Sequence, residues 1–236
     1  MISLTKDKEL KGYKSLTVYP EVAHFVTTRH GGVSEGTYGS FNCSPYTKDS
    51  CINVNCNQNK LFQITGHQIK ELVIPEQKHG SASLVVDESF FKESLEVRRT
   101  LLRGIDALIT NVPGYCVCVT TADCVPVLLY DRRLQVVAAV HAGWKGTVQH
   151  IVSSVMEHMS RNFGTRGVDV VAVSVRVFHS NHLKSVMRFM KHSKKVVLIC
   201  PLSLQKRGRQ ANTILICGKP TGVNCFMPEF LPGRLK

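Results

Sequence analysis

The stretch Thr121-Ala-Asp-Cys-Val-Pro-Val-Leu-Leu-Tyr-Asp131 is followed closely by Val137-Ala-Ala-Val-His-Ala-Gly-Trp-Lys-Gly-Thr147. Each stretch contains an apolar run rich in β-branched residues, which is typical of a buried strand. The polar Asp131-Arg-Arg133 between the runs indicates a hairpin turn. The two stretches therefore predict neighbouring strands at the centre of a sheet, with Cys124 before the first and His141 at the end of the second.

Shorter apolar runs on both sides of this pair predict further strands. Short buried strands of this kind suit mixed sheets covered on both faces, so the predicted fold class is α/β (mixed α+β), with mixed β-sheets layered with helices. Helical periodicity predicts a helix over Glu88–Leu102 and a second one from an N-cap at Thr147 to Gly164. Trp144 is expected to be a core residue. The expected strands are Leu16–Val18, His24–Thr28, Leu72–Ile74, Ser83–Val86, Ala107–Thr110, Tyr115–Thr120, Val125–Tyr130, Gln135–Val140, Val168–Val173, Val196–Ile199 and Thr213–Ile216.

The charge of the chain is unevenly distributed. The net charge is +13 over 236 residues, yet residues 174–236 hold 12 Lys/Arg and one acid, against 18 Lys/Arg and 16 Asp/Glu in residues 1–173. We interpret residues 1–173 as the catalytic core and residues 174–236 as an atypical basic segment, and we hypothesise that this segment is translated out of the ancestral frame. The alternative is a genuine basic tail for nucleic acid, which the scarcity of aromatic residues there makes a weaker interpretation.

Other features of the composition exclude several classes of protein. The nine cysteines form no CxxC pair, and a chain of this size without a signal is not expected to carry a disulfide framework. No apolar run approaches the ~18 residues of a transmembrane helix, so no membrane partner is expected. The charged N-terminus lacks the apolar region of a secretory signal, which predicts a cytoplasmic protein.

Three separate segments place a borderline or soft metal ligand at the end of a strand-like run. These ligands are His79 in Gln77-Lys-His-Gly80, Cys124 and His141. Two imidazoles and one thiolate suit Zn²⁺, and three protein ligands leave the fourth tetrahedral position open for water or substrate. Spacing alone does not bring the three residues together, so a buried structural cysteine with two ordinary histidines is the alternative.

The sequence segments around these ligands resemble the motifs of the multicopper-oxidase-like laccase-domain family, also described as a purine nucleoside phosphorylase family with YfiH-like members. Besides residues 121–131 and 137–147, the resemblance includes Arg29-His-Gly-Gly-Val-Ser34 with Ser40-Phe-Asn42, Gln77-Lys-His-Gly80 and Asp106-Ala-Leu-Ile-Thr110. These motifs occur in order between about residue 10 and Val173. The resemblance implies a YfiH-like fold and a single zinc bound by His79, Cys124 and His141, which also serve as the catalytic residues.

The resemblance further implies phosphorolysis of adenosine, inosine, guanosine and methylthioadenosine, with hydrolytic deamination of adenosine beside it. Purine nucleoside and phosphate are then the binding partners. A phosphate needs an anion pocket, which Arg29, Lys145 and the backbone around Gly143 and Gly146 would supply. Lys145 stands where the family more often has arginine, which weakens a bidentate contact. Asn42 and Asp123 are the candidates for binding ribose or base. The alternative role of Arg29 and Asn42 is loop structure, and that of Asp123 is a hydrogen bond that orients the neighbouring loop.

Three rival functions remain. A copper-dependent polyphenol oxidase would use copper instead of zinc, but the sequence has no His-x-His pair of the kind expected for a multicopper centre. The same zinc–thiolate site would also suit an amidase that edits peptidoglycan precursors. The non-enzymatic alternative is a basic nucleic-acid-binding protein, whose binding would depend steeply on salt. Sequence does not fix the oligomeric state.

Overall fold

The structure of the chain is a computed structural model that describes residues 1–66, 69–122 and 124–174, together with the backbone of residues 212–218. Groups of two to four consecutive strands are separated by single helices or pairs of helices. In the described residues, no helix is long and apolar enough to span a bilayer. The helices are α1 (Cys51–Ile64), α2 (Glu88–Lys92), α3 (Leu95–Leu101), α4 (Trp144–Val148) and α5 (Ile151–Phe163). The strands are β1 (Ile2–Ser3), β2 (Leu10–Gly12), β3 (Val22–Thr27), β4 (Glu71–Val73), β5 (Ser83–Val85), β6 (Ala107–Thr110), β7 (Tyr115–Thr121), β8 (Val125–Asp131), β9 (Val136–Ala142), β10 (Val170–Ser174) and β11 (Asn212–Gly218).

The strands form two mixed sheets. The first has the order β1-β2-β3-β11-β7-β4, and the second has the order β10-β8-β9-β6-β5. In the first sheet β11 is antiparallel to both of its neighbours, and β4 runs parallel to β7. In the second sheet β8 and β9 form the antiparallel hairpin that the polar residues after Asp131 predict, with Pro126 opposite His141.

The two sheets and two helices make four layers. One apolar cluster, with Val117 and Val119 from the first sheet and Leu128 and Ala139 from the second, lies between the sheets. Helix α5 covers the outer face of the second sheet through its apolar side, and α1 covers the outer face of the first through Leu61. Because both faces of each central strand are buried, β8 and β9 read as continuous apolar runs.

Several expectations from sequence are wrong in detail. Leu16–Val18 forms turns rather than a strand, and Leu16 is nonetheless fully buried. The helix expected over Glu88–Leu102 is split into α2 and α3 at Glu93-Ser94, where the Ser94 hydroxyl caps α3. The helix expected from Thr147 is also split, because His150 adopts a left-handed conformation between α4 and α5. The expected strand Val196–Ile199 lies outside the described residues.

Candidate metal centre

Two turns and one strand end bring the three predicted ligands together. His79 lies in the turn after β4, Cys124 lies between β7 and β8, and His141 lies near the end of β9. One ligand atom from each residue lies within 4.8 Å of the other two, and no other such group of three occurs among the described residues. The His79 and His141 rings are perpendicular, with centroids 4.7 Å apart. His141 is buried, Cys124 is half-buried and His79 is exposed, so the group opens to solvent on the His79 side.

Glycines shape the walls of this group. A Cβ atom at Gly143 would lie 3.3 Å from both Cys124 Sγ and His79 Cδ2, and 3.5 Å from His141 Cε1. The absent side chain at Gly143 therefore leaves room beside all three ligands. A Cβ at Gly146 would lie only 2.4 Å from the Gly80 carbonyl oxygen, so only glycine lets α4 pack this closely against the turn that carries His79.

The donor set and this cradle fit one zinc ion. Two imidazoles and a thiolate are ligands that Zn²⁺ accepts in tetrahedral sites. The open side at His79 is compatible with a fourth position for water or substrate, as catalytic zinc sites have. The group therefore has the composition and the access that a catalytic metal site needs.

Asp106, at the start of β6, joins the two histidine segments. Its carboxylate accepts a hydrogen bond from Nδ1 of the His141 ring at 2.8 Å and from the backbone N–H of His79 at 2.9 Å. The backbone N–H groups of Gly80 and Lys78 donate to its other oxygen at 2.7 and 3.3 Å. In the sequence, Asp106 stands out only as part of the motif Asp106-Ala-Leu-Ile-Thr110. The available signal was an acid directly before the apolar run Ala107-Leu-Ile109, because a carboxylate is rarely fully buried unless it is paired.

Burial and hydrogen bonding act in opposite directions on these two groups. Burial raises the pKa of the Asp106 carboxyl, but the hydrogen bonds from His141, Gly80 and Lys78 outweigh burial and hold that pKa below its ordinary value. Burial lowers the pKa of the His141 imidazole, but hydrogen bonds and charge interactions with Asp106 and Cys124 raise that pKa to about 9 in the metal-free protein. The pair therefore carries opposite charges at neutral pH before metal binds.

Gln77 connects the same turn to the first sheet. Its side-chain amide donates to the Thr120 carbonyl oxygen at 2.9 Å, and its oxygen accepts from the Thr120 backbone N–H at 2.7 Å and from the Thr120 hydroxyl at 3.0 Å. Thr120 lies near the end of β7, just before Cys124. Gln77 therefore fixes the turn of His79 relative to the chain segment of Cys124, a role that the motif alone does not reveal.

The predicted substrate-binding residues differ in their exposure and in their hydrogen bonds. Arg29 is exposed, and its guanidinium makes one long hydrogen bond of 3.4 Å to the Gly39 carbonyl. Lys145 is exposed in the first turn of α4. Asn42 is buried, donates to Thr47 and Asp49 and accepts from the Ser44 backbone. Asp123 lies outside the described residues.

The backbone expected to bind an anion differs from the prediction at one position. Gly143, rather than the predicted Thr147, is the N-cap of α4, and Gly146 and Thr147 both lie inside this five-residue helix. Trp144, expected in the core, is 61% exposed directly after Gly143. The reason is that α4 begins at Trp144 rather than at Thr147, which turns the indole away from the interior.

The loop that carries Arg29 is held by a residue that the sequence did not single out. Asn57 on α1 is fully buried, and its amide donates to the Ser34 hydroxyl and to the carbonyls of Ser40 and Asn42. Its oxygen accepts from the Val33 backbone at 2.8 Å. One buried asparagine thus satisfies several backbone groups of this loop.

Comparison with known proteins identifies the family of this chain. Residues 23–177 match the sequence model of the family described as multi-copper polyphenol oxidoreductase laccase. The chain belongs to this family. The match ends close to Ser174, where the charge balance of the sequence changes.

Curated relatives in this family bear enzyme names. A purine nucleoside phosphorylase of Bacteroides thetaiotaomicron is 51% identical over 172 residues, which are 73% of this chain and 64% of that protein. Adenosine deaminase RL5, from an unknown prokaryotic organism, is 36% identical over 144 residues, covering 61% of this chain and 55% of that protein. The chain thus spans less than two thirds of the length of these relatives.

Solved structures share the fold. The YfiH protein of Bacillus licheniformis superposes with a TM-score of 0.72 at 20% identity, covering 86% of this chain and 94% of the other. YlmD of Geobacillus stearothermophilus gives a TM-score of 0.69 at 18% identity, covering 85% and 93%. The predicted YfiH-like α+β fold is therefore confirmed.

Proposed function

We propose that this protein is a zinc-dependent purine nucleoside phosphorylase that also deaminates adenosine. The observation that carries the proposal is the meeting of His79, Cys124 and His141, whose ligand atoms lie within 4.8 Å of one another. The names of the Bacteroides phosphorylase and of the RL5 deaminase support the two reactions. The substrates would be adenosine, inosine, guanosine and methylthioadenosine, with phosphate or water as the second reactant.

The metal would be held by the two imidazoles and the thiolate. When bound, zinc supplies a Lewis acid that polarises oxygen and lowers the pKa of water. The protein contributes the rest of the site. His141 and Asp106 form a buried wall, Gly143 leaves space beside the ligands, and the exposed side at His79 admits the nucleoside.

Sheet topology supports a place for phosphate near this metal. Strands β3, β7 and β4 run in the same direction, since β11 is antiparallel to β3 and β7, and β4 is parallel to β7. Their carboxyl ends therefore meet at one edge of the sheet. Arg29 follows β3, and the segments of Cys124 and His79 follow β7 and β4. Two strand spacings, roughly 9.5 Å, separate β3 from β7, which suits a ligand the size of a nucleoside.

Within this arrangement the remaining predicted residues receive different roles. The exposed cations of Arg29 and Lys145 are proposed to neutralise phosphate. Both amide hydrogens and the oxygen of Asn42 are engaged within its own loop, so Asn42 is proposed to act by holding the loop that carries Arg29. Asp123 is proposed as a ligand for ribose or base because it directly precedes Cys124.

The decisive experiment measures metal content and phosphorolysis on the purified chain. We expect about one zinc per chain, and release of adenine with ribose 1-phosphate from adenosine and phosphate. Cys124→Ala should lose both zinc and activity, whereas Cys56→Ala, at an exposed free cysteine on α1, should retain both. Zinc-loaded protein without either phosphorolysis or deamination would refute the proposal.

A copper-dependent polyphenol oxidase is the second candidate, because the family description refers to multi-copper polyphenol oxidoreductases. Multicopper centres need several histidine clusters, and the described residues contain a single group able to hold a metal. Copper in the purified protein together with oxidation of phenols would favour this candidate over the phosphorylase.

A further inference from the structure

The Asp106 carboxylate has no unused acceptor position. One oxygen accepts from His141 Nδ1 at 2.8 Å and from the His79 backbone at 2.9 Å. The other accepts from the Gly80 and Lys78 backbones at 2.7 and 3.3 Å. Asp106 is fully buried, and an ionised carboxylate offers about four acceptor sites. All of them are therefore directed at segments that carry metal ligands.

The bond to His141 determines which nitrogen of that ring is free. A carboxylate beside Nδ1 requires a hydrogen on Nδ1, because two acceptors cannot face each other. Nε2 is then left without a hydrogen in the neutral ring and can bind metal. Ligating histidines in proteins are commonly held in this way by a carboxylate on the other nitrogen.

The bonds to the turn act on the second histidine through its backbone. His79 has a φ of 59°, in the left-handed region that residues with a Cβ adopt at a cost. Three successive N–H groups, from Lys78 to Gly80, point at the same carboxylate. These bonds compensate for the strain and fix the direction in which the exposed His79 ring leaves the backbone.

We propose that Asp106 is the positioning residue of the metal centre, which sets the tautomer of His141 and the backbone of His79 with one carboxylate. The inference rests on the metal-binding part of the proposed function and is independent of the substrate. Asp106 itself does not touch the ligand atoms of Cys124 or the metal position. It acts through the two histidines.

Only a carboxylate can fill this position. In Asp106→Asn, an amide oxygen facing His141 and His79 places the NH₂ group against the N–H groups of Gly80 and Lys78. The opposite orientation places NH₂ against His141 Nδ1, which forces the hydrogen onto Nε2 and blocks the ligand atom. Either orientation opposes donor to donor, and a buried donor left without an acceptor is costly.

Asp131 offers a matched control. It is also fully buried in the second sheet, but one of its oxygens accepts from the Arg133 and Leu134 backbones while the other has no hydrogen-bond partner. An amide at this position keeps both bonds and puts its NH₂ where no donor opposes it. Asp131→Asn therefore removes a buried charge in the same sheet without disturbing the metal ligands.

The test compares zinc affinity in the full chain, by competition with a chromophoric chelator, for wild type, Asp106→Asn and Asp131→Asn. We expect Asp106→Asn to bind zinc about 10- to 100-fold more weakly, and Asp131→Asn to stay within about twofold of wild type. Equal affinity of Asp106→Asn and wild type would overturn the inference. Thermal unfolding of the zinc-free proteins separates loss of metal from loss of fold.

A measurement on the wild type covers the case in which Asp106→Asn does not fold. The ¹⁵N shifts of the His141 ring in the zinc-loaded protein should show hydrogen on Nδ1 and metal on Nε2. Hydrogen on Nε2 would overturn the role of Asp106 while leaving the metal centre in place. Failure of the wild type to bind zinc would overturn the proposed metal centre and this inference with it.

Discussion

His79 and His141 present the same kind of ring to the proposed metal site, yet the two parts of the molecule that carry them differ. His141 is buried within β9, and its backbone N–H continues the sheet ladder by donating to the Asp106 carbonyl at 2.8 Å. His79 is exposed in a turn and adopts a left-handed conformation. Regular strand pairing fixes His141. The turn of His79 is instead held by backbone N–H groups that donate to the Asp106 carboxylate and by hydrogen bonds between Gln77 and Thr120. The stability of the fold and the affinity for metal should therefore separate at these two positions.

The largest difference between the two positions is expected when the imidazole of His141 or of His79 is removed. His141→Ala and His79→Ala should each weaken zinc binding by about 100-fold or more, beyond the effect of losing an outer partner. His141→Ala should in addition destabilise the zinc-free protein by about 1–3 kcal/mol, because it leaves buried Asp106 short of a donor. His79→Ala should change that stability by less than about 0.5 kcal/mol. Urea unfolding and zinc competition measure both quantities, and equal destabilisation by the two variants would contradict the contrast.

The protonation of His141 predicts a pH dependence. Folding raises the pKa of His141 from its ordinary 6.5 to about 9. Its stabilising contribution is fully present below pH 6.5 and is lost as the pH rises through about 9. The free energy of unfolding of the zinc-free protein should therefore fall with a slope of up to about 1.4 kcal/mol per pH unit in that window. Zinc-loaded protein should lack the slope, and a flat profile without zinc would count against the assignment.

Substitution of Gln77 tests whether its side chain holds the turn that carries His79. Gln77→Ala removes three hydrogen bonds to Thr120 and should weaken zinc binding roughly tenfold. Gln58 is a matched control, since it is also half-buried and makes a single bond of 2.8 Å to the Cys43 carbonyl. Gln58→Ala should leave zinc affinity unchanged. If both variants bind zinc like wild type, the turn is held by Asp106 alone.

The smallest expected effect is a difference in stability between glycine and alanine substitutions, and it depends on the backbone conformation at His79 and at His141. In the left-handed turn, His79→Gly should leave the zinc-free protein more stable than His79→Ala by about 0.5–1 kcal/mol, because glycine has no Cβ penalty there. In the strand the order should reverse, with His141→Gly less stable than His141→Ala by a similar amount. Thermal unfolding of the four zinc-free variants measures both differences. The same order at both positions would show that the turn is unstrained.

The central strands could be predicted from sequence because burial on both faces selects continuous apolar β-branched runs. Ala107–Thr110 is predicted to the residue, and β7, β8 and β9 differ from prediction by one or two residues at their ends. Helix α1 escaped prediction, since its asparagine-rich sequence buries only Val54, Asn57 and Leu61. The residue at the centre of its buried face, Asn57, is polar and hydrogen-bonded. A helix of this kind shows no apolar periodicity from which it could be predicted.

The meeting of His79, Cys124 and His141 could be predicted because the motifs around them are distinctive, while their spacing along the chain carries no geometric information. Their role as metal ligands stays a prediction. The roles of Asp106 and Gln77 could not be predicted, since both depend on which backbone groups tertiary packing places opposite their side chains. For Trp144 the prediction from sequence was wrong. A large apolar residue suggests burial, but the start of α4 places it at the surface. The roles of Arg29, Lys145, Asn42 and Asp123, and the frame of residues 174–236, remain predictions.

The position of β11 has a consequence for the order in which the chain folds. Strand β3 ends at Thr27, but its partner β11 begins at Asn212, and β11 also separates β3 from β7. The second sheet uses only strands between Ser83 and Ser174. During synthesis from the N-terminus, that sheet can assemble while β3 still lacks its neighbour. Contacts between segments so distant in sequence form slowly, so closure of the first sheet is expected to be the last and slowest folding event, and β3 and β7 are exposed to aggregation until it occurs.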